Sequence, residues 1–209
     1  MLIKNNINIT LLSSRIKVLK RVIIKMNKKQ NRKICVFCGA SSGKNIKNQQ
    51  TATEIGKIIG DLNFDFVFGG GSSGLMGHAA SSAILFGSKV YGVIPNFLTQ
   101  REQPLEKIDL TITQTMRTRK AKMYKISSAF IILPGGIGTL DEFIEVLTLI
   151  QLNQIKNKPV LVLNTNDYWT PIFVMFEKMI KEGFLNKSNL ENFIEFQNTK
   201  DLKSFLKSF

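Results

Sequence analysis

The sequence predicts an α/β fold of Rossmann-like, three-layer type: a mostly parallel sheet with helices on both faces. Three observations predict it. Short apolar runs such as Ala129–Leu133 and Pro159–Leu163 alternate with helical patterns along the chain, and strands of a parallel sheet covered on both faces read this way. The turns after several of these runs are rich in Gly and small hydroxyl residues, as strand-to-helix turns of α/β units are. The length of 209 residues suits one domain with a proper core.

Taken in order, Lys33–Phe37 reads as the first strand, ending in Cys38-Gly39-Ala40-Ser41-Ser42-Gly43. A helix is expected from about Asn48 to Leu62, with Ile55, Ile58, Ile59 and Leu62 on one face. Asp65–Phe68 is the second strand, Gly69–Gly74 a glycine-rich turn, and Leu75 to Phe86 a helix. Lys89–Ile94 forms the third strand, stopped by Pro95. Asn96–Lys107 is expected to be irregular and polar, centred on Arg101-Glu102-Gln103-Pro104, a loop able to close over a ligand. A short strand Ile108–Ile112 and a basic helix Met116–Ser127 follow. Ala129–Leu133 then leads through a second glycine-rich turn into a helix from near Thr139 to about Gln154. Pro159–Leu163, Thr170–Phe184, Phe193–Phe196 and Thr199–Phe209 complete the pattern as strand, helix, strand and helix. Ligands of such sheets bind outside the C-terminal ends of the strands, at the switch point. The loops at Gly39, Gly70, Arg101 and Gly135 are therefore expected along one edge.

The formal net charge is +14, which by itself points to nucleic acid. Its distribution argues otherwise. Residues 1–33 hold ten Lys and Arg and no acid, which leaves +4 for the remainder. A specific nucleic-acid interface is not expected. Residues 1–32 read as a basic extension, with three origins in competition: a poorly packed tail, an organelle-targeting peptide, or a start placed ahead of the true one at Met26. A dispensable extension ahead of a single domain over 33–209 is favoured. No stretch reaches the ~20 apolar residues of a membrane span. Cys35 and Cys38 form a C-x-x-C, but both lie in or at the end of one strand, no second Cys/His cluster exists, and His78 is the only histidine. They read as small residues in a reducing, cytoplasmic compartment, and no metal site is expected.

The chemistry concentrates at Leu133-Pro134-Gly135-Gly136-Ile137-Gly138-Thr139-Leu140-Asp141-Glu142. Glycines let an anion approach the backbone closely, and the first N–H groups of a helix lack internal partners and carry the positive end of its dipole. Thr139 adds a hydroxyl donor, and Glu142 lies about one turn into the helix, where its carboxylate is near whatever the phosphate carries. A P-loop would require Lys and then Ser or Thr after the last Gly, where this chain has Thr139-Leu140. Gly69-Gly70-Gly71-Ser72-Ser73-Gly74 fits G-x-G-x-x-G, but the acid that a dinucleotide site requires roughly 20 residues on is missing. The structural alternatives are that Glu142, like Asp141, only serves the helix N-terminus, and that Arg119 is a solvated charge like Arg117.

With Met116-Arg117-Thr118-Arg119-Lys120 upstream, the Pro134–Glu142 segment resembles the LONELY GUY (LOG) family of cytokinin riboside 5′-monophosphate phosphoribohydrolases, which carry P-G-G-x-G-T-x-x-E and M-x-x-R-K. The resemblance extends over Val36–Ser42, Gly69–Gly77, Val93-Ile94-Pro95 and Arg101-Glu102, spanning roughly residues 33–185. It implies a Rossmann-like homodimer that hydrolyses a nucleoside 5′-monophosphate to free base and ribose 5-phosphate, with no metal or nicotinamide cofactor. It implies Arg119 and Glu142 as the catalytic pair. Gly135, Gly136, Ile137, Gly138 and Thr139, with Pro134, match the phosphate cradle; Lys120 and Glu102 match substrate-contacting positions, and Gly39, Ser41, Gly70 and Gly71 lie in the matching loops. The family's frequent His two residues ahead of the catalytic Arg is Arg117 here, a departure on the base side of the pocket. The alternative is a non-catalytic nucleotide or cofactor binder of the same architecture, such as a molybdenum-cofactor carrier. Some relatives are labelled lysine decarboxylases, for which no lysine in the sequence is marked as a Schiff-base site.

Overall fold

A computed structural model describes residues 32–209. The basic extension read over residues 1–32 lies, apart from Arg32, outside the described residues. Seven parallel strands form one sheet in the order β4-β3-β2-β1-β5-β6-β7. The elements run β1 (Lys33–Phe37), α1 (Ile46–Asp61), β2 (Asp65–Phe68), α2 (Gly74–Leu85), β3 (Val90–Pro95), α3 (Asn96–Thr99), β4 (Asp109–Thr113) and α4 (Met116–Ile126). They continue with β5 (Ala129–Ile132), α5 (Ile137–Gln151), β6 (Val160–Leu163), α6 (Thr170–Lys181), β7 (Ile194–Phe196) and α7 (Thr199–Lys207), with 3₁₀ turns at Thr165–Asp167 and Lys187–Asn192.

Side-chain alternation along the strands gives the three layers. Cys35, Phe37, Val67, Val93, Phe130, Ile132, Val160 and Val162 pack with Met123 and Tyr124 of α4, Phe143 and Val146 of α5 and Phe176 of α6. Their neighbours Ile34, Val36, Phe66, Phe68 and Ile131 are equally buried and serve the opposite face, where α1 and α2 lie together. Those two helices touch through Gly56: a Cβ there would stand 2.0 Å from the Ala79 carbonyl oxygen.

The chain steps outward from β1 to β4 and then returns to place β5 beside β1. The strand order therefore reverses between β1 and β5, which is the switch point expected to bind ligands. The return is made by α4, which packs against β4, β3 and β1. A basic helix that follows an edge strand is thereby laid across the sheet toward its centre. Its start is fixed by a capping box in which Thr115 and Thr118 bond each other's backbone N–H groups at 3.1 Å. Several details differ from the sequence reading. The segment after Pro95 is not wholly irregular but begins with α3, α1 begins two residues ahead of Asn48, α5 and α6 each end three residues short of the expected limit, and α5 begins at Ile137, two residues ahead of Thr139, because glycine at 138 fits a helical turn as well as a loop.

Candidate active site

The loops after β1 and β5 meet across the switch point. Leu133 N–H donates to Phe37 at 2.9 Å and Gly39 N–H donates to the Pro134 carbonyl at 3.0 Å. Gly135 is required at this crossing, since a Cβ there would stand 2.1 Å from Thr139 Oγ1 and 2.8 Å from the Gly39 nitrogen. Thr139 is correspondingly buried, its hydroxyl packed over Gly135 rather than open at the mouth. Gly136 is the N-cap of α5 and supplies no side-chain cap. The first α5 amide with a carbonyl partner is Leu140, which donates to Gly136 at 3.1 Å. The N–H groups of Gly136, Ile137, Gly138 and Thr139 precede it with no acceptor among the described residues, the arrangement that binds phosphate at a helix start.

Arg119 and Glu142 are both buried and lie 3.6 Å apart, Nη1 to Oε1. That separation is an ion pair, longer than a hydrogen bond, so both groups keep bonding capacity for a ligand. Arg119 is aimed by its Nε–H, which donates to the Val93 carbonyl at the end of β3 at 3.0 Å. Its Nη2 lies against Gly69, where a Cβ would approach to 2.1 Å. Arg117, two residues away on a 3.6-residue period, is exposed; burial, not motif alone, separates the two arginines. Glu142 falls beyond the first turn of α5, so it does not serve the helix N-terminus. Loss of water raises its pKa to about 7, against the pull of Arg119. At neutral pH this carboxyl exchanges a proton readily.

Glu102 stands over Gly71, where a Cβ would meet its Oε2 at 3.0 Å. The segment carrying it is stitched to the second glycine turn: Ser72 N–H donates to Gln103 at 3.0 Å, Leu105 N–H donates to Gly70 at 3.0 Å, and Gly71 bridges Pro104. Gly70 holds φ 90°, a conformation that glycine alone adopts readily. The β1 and β2 loops also touch, with Met76 N–H donating to Gly39 at 3.3 Å. Ser41 is exposed on this edge. All four loops expected on the edge are thus there, and these hydrogen bonds tie each of them to another.

Lys120 sits elsewhere in the bonding scheme. Its ammonium bridges Asp141 at 2.8 Å and Glu145 at 2.6 Å, and Tyr124 donates its hydroxyl to the same Glu145 oxygen at 2.7 Å. Asp141 therefore pairs with α4 rather than serving the start of α5. The network clamps α4 to α5 beside Arg119 and Glu142. Glu145 and Tyr124 were not legible as site neighbours, because the partners belong to two helices separated by a strand. Tyr168, also missed, donates its hydroxyl to the Gly135 carbonyl; its position just after the strand β6, on the ligand edge, was the available signal. Cys35 and Cys38 are free and buried, and burial pushes both thiols up. Among the described residues no group of three or more His, Cys, Asp or Glu is placed to hold a metal ion, and no helix is long and apolar enough to cross a membrane.

A family model described as "Possible lysine decarboxylase" matches residues 76–205. The cytokinin riboside 5′-monophosphate phosphoribohydrolase LOG3 of Arabidopsis thaliana is 40% identical over 185 residues, covering 88% of this chain and 86% of that protein. LOG1 of the same plant, of the same description, is 38% identical over 179 residues, covering 85% and 84%. Among solved structures, the molybdenum cofactor binding protein of Rippkaea orientalis superposes with a TM-score of 0.65 at 19% identity, covering 87% of this chain and 98% of that one. The molybdenum cofactor carrier protein of Chlamydomonas reinhardtii gives 0.62 at 20% identity, covering 85% and 97%. At these identities the structural likeness is one of fold. The sequence relatives, which span most of both chains, carry more: this chain belongs to the family of the cytokinin riboside 5′-monophosphate phosphoribohydrolases, matched by the possible lysine decarboxylase model.

Proposed function

We propose that this protein hydrolyses the N-glycosidic bond of a cytokinin nucleoside 5′-monophosphate, releasing the free base and ribose 5-phosphate. The observation that carries the reading is the buried Arg119–Glu142 pair, held beside a run of unpartnered backbone N–H groups at the start of α5. The amides and Gly135–Thr139 bind the 5′-phosphate, which sets the ribose over Glu142. Water adds to C1′ as the C1′–N9 bond breaks. The bonding electron pair leaves with the base, one water hydrogen ends on the base, and the water oxygen stays on ribose 5-phosphate. The sugar passes through an oxocarbenium-like state, and an anionic Glu142 stabilises that charge, holds the ribose hydroxyls and orients the water. Arg119 keeps Glu142 ionised often enough to act and offers its remaining N–H groups to the phosphate or the leaving base. Glu102, over Gly71, contacts the substrate from the β2 side.

The lysine decarboxylase label fits these residues poorly. A pyridoxal phosphate Schiff base requires an amine whose pKa is depressed. Lys120, which pairs with Asp141 two residues past Thr139, has its ammonium held by two carboxylates and its pKa raised despite its burial. Lys158, whose pKa burial lowers, sits just ahead of β6 at the opposite edge of the sheet. The cofactor-carrier reading is supported by fold likeness alone.

The same proposal includes AMP-type substrates, a homodimer in the cytoplasm and a catalytic domain over residues 33–209, which contain the sheet and all the candidate residues. Incubation of the wild type and Glu142→Gln with AMP and N6-isopentenyl-AMP, with chromatography of base and ribose 5-phosphate, tests the chemistry. Release should fall by ~10²–10⁴-fold in the variant. Full activity in Glu142→Gln would sink the mechanism.

A further inference from the structure

The peptide between Gly135 and Gly136 joins a packed residue to an open one in the turn ahead of α5. Neither residue has a side chain, and at Gly136 a Cβ would meet nothing within 4 Å. Such a pair reaches torsions closed to other residues. Rotation of this peptide would present its carbonyl oxygen, in place of its N–H, to an approaching anion. One side chain opposes that rotation: the Tyr168 hydroxyl donates to the Gly135 carbonyl oxygen. The peptide unit is planar and its N–H points opposite to its C=O. Fixing the carbonyl toward Tyr168 therefore directs the Gly136 N–H the other way, and polarisation through the peptide strengthens that N–H as a donor.

The loop that presents Tyr168 is a tight turn and firmly anchored. Asn166 and Asp167 are consecutive residues at φ 55° and 56°, a left-handed conformation that Asn and Asp adopt more readily than other non-glycine residues. Asn164 is fully buried, accepts from Trp169 N–H at 2.6 Å, and donates to Thr170 Oγ1 at 3.0 Å and Glu195 at 2.7 Å. The Tyr168 ring stands edge-on against Trp169 at 5.0 Å, and Trp169 packs on Phe143, the residue after Glu142. Tyr168 itself is 45% exposed. Burial of the ring does not explain a tyrosine here; the reach of its hydroxyl does.

We propose that Tyr168 is a positioning residue for the substrate's 5′-phosphate, its hydroxyl locking the Gly135–Gly136 peptide so that the Gly136 N–H meets the anion. The inference rests on the phosphoribohydrolase reading above. Its test is Tyr168→Phe, which removes only the hydroxyl, with binding of ribose 5-phosphate measured by calorimetry and AMP turnover measured alongside. The dissociation constant of ribose 5-phosphate and the KM for AMP should rise about fivefold, the worth of about one hydrogen bond, with kcat unchanged. Inhibition by adenosine, which lacks the phosphate, should be unchanged, whereas a generally loosened site would weaken both ligands. An unaltered dissociation constant for ribose 5-phosphate in Tyr168→Phe overturns the proposal, as does a wild type that does not bind ribose 5-phosphate. A wild type that binds ribose 5-phosphate and yet releases no base overturns the hydrolase reading, while the comparison of dissociation constants still decides the role of Tyr168.

Discussion

Glu142→Gln should change how the stability of the fold depends on pH, apart from any effect on turnover. Glu142 is buried, and loss of water lifts its pKa from 4.5 to about 7 even with Arg119 beside it. In the unfolded chain the same carboxyl is hydrated and titrates near its ordinary value. Between those two values the folded state holds a proton that the unfolded state has released, so stability falls as pH rises. The displacement from 4.5 to about 7, at about 1.4 kcal/mol per pH unit, gives a loss on the order of 3 kcal/mol, absent below the lower value and complete above the upper one. Glutamine cannot ionise, so the variant lacks this component of the slope. Urea denaturation of both proteins at about pH 4 and about pH 8 measures the difference directly. In thermal melts, with each kcal/mol worth roughly 2–4 °C at this size, the variant should gain roughly 6–12 °C on the wild type between those conditions. If the two proteins lose stability in parallel over that range, burial does not hold Glu142 near neutrality, and the reasoning from its raised pKa fails. The same titration should govern activity: a carboxylate that acts ionised gives a rate that falls about tenfold per pH unit below about pH 7.

Two further outcomes follow from the geometry. Gly135→Ala should cost about 1–3 kcal/mol by overpacking, because its Cβ would stand 2.1 Å from Thr139 Oγ1, while Gly138→Ala, whose Cβ would meet nothing within 4 Å, should hold or gain up to about 1 kcal/mol of helix propensity; thermal denaturation giving the reverse order would refute the packing of the turn. Lys120→Met should cost about 1 kcal/mol once screening at the exposed Asp141 is counted. It also removes a positive charge that lowers the pKa of Glu142, so the acid limb of the pH–rate profile should move to higher pH; an unmoved limb would show that the α4–α5 clamp does not reach the Glu142 carboxyl.

The fold was legible in the chain because parallel strands buried on both faces must be apolar throughout, and glycine turns mark where β1, β2 and β5 give way to the next element. All seven strands fall within one residue of the expected limits. The two 3₁₀ turns were not foreseen, since neither Thr165–Asp167 nor Lys187–Asn192 has a periodic apolar pattern. Of the candidate site, the glycine turn ahead of α5, Arg119 and Glu142 could be picked out because their residue types and local spacing suit phosphate and glycosidic chemistry. What the sequence could not separate was Arg119 from Arg117, or a Glu142 buried against Arg119 from one that caps the helix. That distinction depends on which side chain the crossover helix α4 buries at the switch point, and on the Val93 carbonyl that aims it from a strand 26 residues earlier.

The sequence by itself determined the layer architecture, the edge where the glycine loops gather and the residue types available there, since these follow from local periodicity and from glycine's missing side chain. Only the tertiary structure decided that Lys120 is bound by Asp141 and Glu145, that Thr139 packs inward on Gly135, and that Tyr168 reaches the Gly135 carbonyl. Those partners are brought together by the order of strands in the sheet, and the burial that lifts the Glu142 pKa exists only once α4 and α5 have packed over it.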